Sequence, residues 1–227
     1  MTRQPACVAF LFVASLATPL AGQDSIAVRL AGRVPPEVVR VVKELAASSA
    51  RDVPVEPLVQ KAIEGGAKGV PAERVVTALR ELAGQLGIAA AALHEAGIER
   101  PSADVVEGGA YSLGAGLSAR DVRDVARASQ PPYDPAMTLR VAATLAALGV
   151  PPKATVRLVR DMISAGRAPS DLAALPGEVQ ADMARGATPA QAAEGLARGA
   201  GAGHAPPGRQ PGWVPPGQAK PPNPHKP

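Results

Sequence analysis

The chain has 227 residues, enough for one ordinary domain with a core, and carries a formal net charge of +4. Four basic residues outside its central segment account for this excess: Arg3, Arg209, Lys220 and Lys226. Residues 23–200 are therefore neutral, with acids and bases interleaved, which argues against a nucleic-acid surface of clustered positive charge. Aromatic residues make up only 2% of the chain, so a core must consist of Ala, Val, Leu and Ile.

Residues 1–22 have the pattern of a signal peptide. Arg3 precedes the apolar run Ala6–Leu16, which has the length of a signal-peptide core and is too short to span a bilayer. Small residues follow, so we expect cleavage between Ala17 and Gln23 and an extracytoplasmic product, periplasmic or secreted. A buried first helix is the alternative. The only cysteine, Cys7, lies within this segment, so we expect no disulfide in the mature chain. No continuous apolar run of membrane-spanning length follows Gln23, so we also expect no transmembrane span there.

Five short segments each combine a helix stop with a helix start. A glycine in the left-handed conformation commonly ends a helix, while Ser or Thr caps the next one and Pro fits its first turn. Their intervals are close to the length of a two-helix repeat, and alternating strand patterns are nearly absent. We therefore predict an all-α array of short helical hairpins, either α-solenoid-like or a compact bundle. The five segments are Gly32–Pro35, Gly69–Pro71, Gly116–Ser118, Gly149–Pro151 and Gly186–Pro189.

Apolar residues at helical spacing predict the individual helices of this array. The clearest apolar stripe contains Leu79 and Leu82, which we expect to be buried. A short connection at Gly149–Val150 should hold the helices on either side antiparallel. The predicted helices are 35–47, 54–67, 71–86, 88–96, 102–113, 118–128, 135–148, 151–165, 170–184 with an interruption at Pro176–Gly177, and 188–198.

Two segments interrupt or end the helical body, which we place at residues 23–200. Residues 130–135 contain three prolines and mark a possible subdomain boundary. Residues 201–227 are rich in Pro and Gly and poor in apolar side chains, so we predict a disordered tail that serves as a spacer. The Pro221–Pro224 stretch fits a proline-rich docking pattern, but such a match is expected by chance in this composition.

Ser112 lies in a sequence similar to the nucleophile elbow of hydrolases, Ala110–Gly114. That elbow requires a preceding strand and a downstream histidine base. A glycine-rich helical segment precedes Ser112, and the later histidines, His204 and His225, lie in the predicted tail. We therefore assign no catalytic residue here.

Three further features resemble parts of chemical sites but are incomplete. His94 and Glu95 begin like a zinc-protease helix, yet no second histidine follows at the required spacing. Asp121 and Asp124 share one helix face, but neighbouring arginines indicate a salt-bridged surface. No phosphate-binding loop is present in the sequence. We therefore predict no metal and no cofactor.

These observations favour an exported, noncatalytic helical scaffold or a module that binds a protein or peptide of the bacterial envelope. Helical repeats form continuous concave surfaces, which supports this hypothesis by analogy with the fold class. Two alternatives stay open. One is an envelope-associated enzyme with an unrecognised carboxylate site, and the other is a peripheral cell-surface adhesin that acts through the basic, proline-rich tail.

Overall fold

A computed structural model describes residues 20–50 and 52–201 of the protein. Within these residues all regular structure is helical, which confirms the predicted all-α class. The predicted signal segment 1–22 is described only from residue 20, and the predicted tail 201–227 only at residue 201. The ten helices within the described ranges are α1 (Leu20–Leu30), α2 (Pro36–Ser48), α3 (Glu56–Ala67), α4 (Ala72–Glu95), α5 (Ala103–Gly114), α6 (Ala119–Ala128), α7 (Pro135–Ala147), α8 (Pro152–Ser164), α9 (Pro169–Ala184) and α10 (Pro189–Gly201).

The described residues divide into two compact units. The first contains α1, α2, α3 and the part of α4 that ends at Gly84. The second contains 52–54 and everything described from Gln85 onward. Residues 130–135, suggested by the sequence as a boundary, form the α6–α7 connection inside the second unit.

In the first unit, α1, α2 and α3 all contact one another. Helix α3 comes very close to the α1–α2 connection: a Cβ on Gly66 would lie 2.2 Å from the carbonyl oxygen of Arg33. Only glycine permits this approach. On the surface, the guanidinium of Arg29 on α1 donates two hydrogen bonds of 2.6 Å to the carboxylate of Glu56 on α3. The side chains buried along α2 and α3 are Val38, Val41, Val42, Leu58, Val59 and Ala62.

The second unit is built from two layers of alternating helices. Helix α7 packs against both α5 and α9, while α8 packs against both α6 and α10. Helices adjacent in the chain also contact one another across the layers, as α7 does with α8 and α9 with α10. This is the stacking of a helical-hairpin repeat, in which each helix has the second helix along the chain as its lateral neighbour.

The five predicted stop signals all end helices as expected. Their glycines have positive φ angles, for example +88° at Gly149, a conformation that a side chain would strain. After Gly149, the amide of Val150 donates a hydrogen bond to the carbonyl of Leu145, and Val150 is buried. This is the Schellman arrangement, which satisfies the last carbonyls of the helix. At the predicted start of α6, Ser118 and Asp121 form the expected capping box.

The prediction was wrong at three places along the helices. The stop signal at Gly32 implies a preceding helix, but the bounds of α1 were not predicted, because the helix begins at Leu20 inside the signal-like segment 1–22. The predicted break near Gly87 does not exist, and α4 is continuous. Helix α9 also continues through Pro176. In α4 and α9 a helix passes through residues of poor helix propensity because tertiary packing outweighs local preference.

The predicted burial of the α4 stripe is confirmed at one of its two leucines. Leu79 has no solvent exposure, whereas Leu82 is only half-buried. Three fully buried leucines on this helix are spaced by seven residues, at Leu79, Leu86 and Leu93, and Ala89 is fully buried as well. The predicted stripe therefore includes a position, Leu82, that is only partly covered.

Candidate functional site

In the second unit a groove with a volume of about 520 Å³ lies between α8 and α10. The two helices start close together, since a Cβ on Gly149 would lie 3.5 Å from the Cγ of Pro189. They also end close together, because Arg167, just after α8, donates a hydrogen bond of 2.9 Å to the carbonyl of Gly199. The helices therefore run parallel, and the groove is a furrow along both.

Alanines form much of the groove, and charged residues form its rims. The alanine side chains are short, so the surface between the longer charged side chains is concave. Lys153 and Arg157 extend from α8, and Glu194 and Arg198 extend from α10. The remaining lining residues are Pro151, Ala154, Ala190, Ala193 and Ala197.

The groove carries more positive than negative charge. Three of its lining residues are basic and one, Glu194, is acidic. Arg157 makes an exposed ion pair with Asp161, at 3.5 Å between Nε and Oδ2. Among the described residues, neither Lys153 nor Arg198 has an acidic partner within ion-pair distance.

The first turns of both flanking helices contain no acidic residue. The N-terminus of a helix carries a partial positive charge, which an acidic residue there commonly offsets. Helix α10 instead begins with a neutral pair, in which the amide of Thr188 donates to Oε1 of Gln191 at 2.9 Å. The positive ends of both helices therefore lie at the same end of the groove.

In the structure, Ser112 is part of the contact between α5 and α7. Its side chain is fully buried on α5, and its Oγ lies 2.9 Å from the carbonyl oxygen of Leu139 on α7 and 3.0 Å from that of Gly108. Beside it, a Cβ on Gly108 would lie 3.1 Å from the carbonyl oxygen of Ala136. Ser112 thus belongs to a contact of small residues that lets α5 and α7 pack closely. His204 and His225 lie outside the described residues.

His94 and Glu95, the incomplete zinc pattern, lie at the end of α4 and make structural contacts. Nε2 of His94 is 3.5 Å from Oδ2 of Asp52. The carboxylate of Glu95 pairs with Arg123 at 3.1 Å, and its carbonyl accepts a hydrogen bond of 2.7 Å from Arg127. Two arginines one turn apart on α6 therefore hold the C-terminal end of α4, where positive charge is favourable.

The two carboxylates on α6 are likewise engaged in local interactions. Oδ2 of Asp121 accepts a hydrogen bond of 2.9 Å from the amide of Ser118. Asp124 lies between two arginines, 3.4 Å from Nε of Arg123 and 3.8 Å from Nε of Arg120. In the part of the chain that the structure describes, no three His, Cys, Asp or Glu residues are grouped to hold a metal ion.

Two other features of the described residues are a hollow on α2 and the apolar length of α4. A shallow hollow of about 420 Å³ lies on a single face of α2, lined by Val39, Lys43 and their neighbours. Helix α4 is long and apolar enough to cross a membrane by length and composition alone, with a mean hydropathy of 1.2. Core helices of soluble proteins have the same properties, and 33% of its most apolar window is buried.

Sequence reasoning missed the basic residues of the α8–α10 groove. One signal was present: the start of α8, Pro151–Arg157, contains two basic residues and no acid, unlike the first turns of α2, α3, α4, α5, α6 and α9.

No protein-family model, curated protein or solved structure matches this chain.

Proposed function

We propose that this protein is an exported, noncatalytic binding module or scaffold of the bacterial envelope, and that it holds a protein or peptide in the α8–α10 groove. The observation that carries the proposal is the groove itself, an open furrow between parallel helices of stacked hairpins. Helical-repeat proteins use such continuous surfaces to bind extended partners. Binding is a common role of this fold class, and we assign it to this protein by analogy.

The proposal of export rests on the sequence of residues 1–22. The proposal of a noncatalytic role is supported by the contacts of the residues considered as chemical candidates. Ser112 is used in helix packing, Glu95 in an ion pair and Asp121 in a helix cap. Each of these polar groups thus has a structural use that does not require a substrate.

A cross-linking and capture experiment with the full chain tests binding in the groove. We expect a discrete envelope protein to be captured by the tagged protein in living cells and to be lost in the variant Ala197→Phe, which fills the groove. Ala181→Phe, on the exposed face of α9, is the control and should retain the partner. Circular dichroism and thermal unfolding would verify that both variants fold.

Two other results would contradict this proposal. Capture that is unchanged in Ala197→Phe would place the interaction elsewhere. Capture that disappears only when the chain is truncated after residue 201 would favour the adhesin alternative, in which the tail carries the interaction. For export, N-terminal sequencing of protein from fractionated cells should find a start between residues 18 and 23, and an intact N-terminus in the cytoplasm would contradict it.

A further inference from the structure

The charges around the α8–α10 groove indicate which kind of segment it binds. We propose that the groove takes an extended, acidic peptide segment with small side chains, supplied by a partner protein. This inference rests on the proposed function and adds the chemistry of the partner. It follows from the charges on the rims of the groove, the N-termini of its two helices and the alanines of its floor.

The rims provide cations that the protein itself leaves available. The side chain of Arg157 is 74% exposed, and its Nε lies 3.5 Å from Oδ2 of Asp161, so the guanidinium remains accessible to a further carboxylate. Lys153 and Arg198 make no ion pair within the described residues and stand on opposite rims. A segment lying between them would meet positive charge on both sides.

The N-termini of α8 and α10 add to the positive potential of the rims. Both α8 and α10 present their N-termini at one end of the groove, and neither has an acid in its first turn. Partial positive charge at a helix N-terminus favours a nearby anion. An acidic residue of the bound segment would supply the charge that Asp or Glu supplies in the first turns of other helices of this protein, such as α6 and α9.

The floor favours a peptide over other polyanions. Alanine methyl groups offer apolar contact to small side chains and leave room for an extended backbone. Base stacking, which nucleic acids gain on binding single strands, requires aromatic side chains, and the lining contains none. The protein's own predicted tail is basic and contains no acid, so the basic rims of the groove would repel it.

Fluorescence anisotropy with the full chain and labelled synthetic peptides of about ten residues tests this inference. The probes are an alternating Asp-Ala peptide, a Ser-Ala peptide and a Lys-Ala peptide. We expect the Asp-Ala peptide to bind at least about tenfold more tightly than the Ser-Ala peptide at low ionic strength, with the difference decreasing as salt screens the charges. The Lys-Ala peptide should bind least.

Charge-reversal variants locate the effect. We expect Arg157→Glu and Arg198→Glu each to weaken binding of the Asp-Ala peptide at least about fivefold. Arg120→Glu is a matched control, because Arg120 on α6 is also highly exposed and also pairs with an aspartate one turn later, but does not line the groove. It changes the net charge equally and should leave affinity within about twofold.

Three results would overturn the inference: equal binding of the Asp-Ala and Ser-Ala peptides, equal weakening by Arg120→Glu, or a DNA oligonucleotide that competes with the same dependence on Arg157 and Arg198. The proposed function is judged separately. If the acidic preference is absent while Ala197→Phe still abolishes partner capture, the groove binds a partner of other chemistry. If partner capture is also unaffected, both proposals fail.

Discussion

Ser112 has the same hydroxyl that makes a serine nucleophilic, but its position on α5 commits that hydroxyl to helix packing. Its Oγ lies 2.9 Å from the carbonyl oxygen of Leu139 on the neighbouring α7, in a fully buried environment. We expect Ser112→Ala to lower the free energy of unfolding by about 0.5–1.5 kcal/mol, since a buried hydrogen bond is lost. Denaturant unfolding would measure this change.

Thr144→Ala is the control for that measurement. The hydroxyl of Thr144 makes a hydrogen bond of 2.8 Å to the carbonyl of Arg140, but at an exposed position where water can replace it. Its loss should change stability by less than about 0.5 kcal/mol. Equal effects of the two substitutions would contradict the structural role of Ser112.

The ion pair between α1 and α3 makes the stability of the protein depend on pH. Hydrogen bonds from Arg29, and then from Gln60, lower the pKa of Glu56 from 4.5 to about 2. Because this pKa is lowered in the folded protein, Glu56 stabilises the fold above the pKa of the unfolded chain. That contribution is lost as pH falls from about 4 to 2.

We expect Glu56→Gln to be less stable than the natural protein near neutral pH and the two to converge near pH 2. Both side chains are about half exposed, so the difference should be at most about 1 kcal/mol and should shrink with salt. Denaturant unfolding across this pH range would measure it. In an Arg29→Gln background, Glu56→Gln should have no comparable effect, and a persistent effect there would assign the stabilisation to another partner.

At the scale of elements, α4 is longer than its glycines predict. Gly84 lies inside this helix, and a Cβ there would meet nothing within 4 Å. Replacing it with alanine adds helix propensity without a clash, so Gly84→Ala should raise the free energy of unfolding by about 0.5–1 kcal/mol. Thermal unfolding monitored by circular dichroism would detect the change.

Gly66→Ala should have the opposite effect and lower the free energy of unfolding. At this position a Cβ would lie 2.2 Å from a backbone oxygen, so the helix or its neighbour must move. We expect a loss of about 1–3 kcal/mol. If Gly84→Ala destabilised the protein as much as Gly66→Ala, the exposed position of Gly84 in a continuous α4 would be contradicted.

The sequence predicted helix ends better than helix continuity. Glycines at helix ends, such as Gly149, adopt positive φ, and that requirement is local enough to read from the sequence. Gly87 and Pro176 do not end their helices, because buried neighbours such as Leu86 and Leu175 hold the helix together. The packing partners lie on other helices, so local patterns do not reveal which preference prevails.

The candidate site was beyond sequence reasoning for a related reason. Its two rims belong to α8 and α10, which are separated in the chain by the whole of α9. The basic residues of either helix alone resemble an ordinary solvated face. Only the alternate-layer stacking brings Arg157 and Arg198 to one groove.

At the scale of the whole molecule, we predict that truncation after residue 201 leaves the stability of the helical body unchanged. The C-terminal carbonyls of α10 are already bound by Arg167, and the basic groove offers no attraction to a basic segment. The thermal midpoint should change by less than about 2 °C, the lower end of the shift of about 2–4 °C that a loss of 1 kcal/mol would cause in a body of this size. A midpoint lower by several degrees would show that the removed residues pack on the helices.

The alternate-layer packing of the second unit also bears on how the chain folds. Each of its helices finds its partners at the next helix or the one after, so most stabilising contacts close short loops. Chains with such local topology have low contact order and fold rapidly, because little loop entropy is lost before contacts form. The second unit can therefore gain structure hairpin by hairpin from its N-terminal side, while its last helices are still leaving the ribosome.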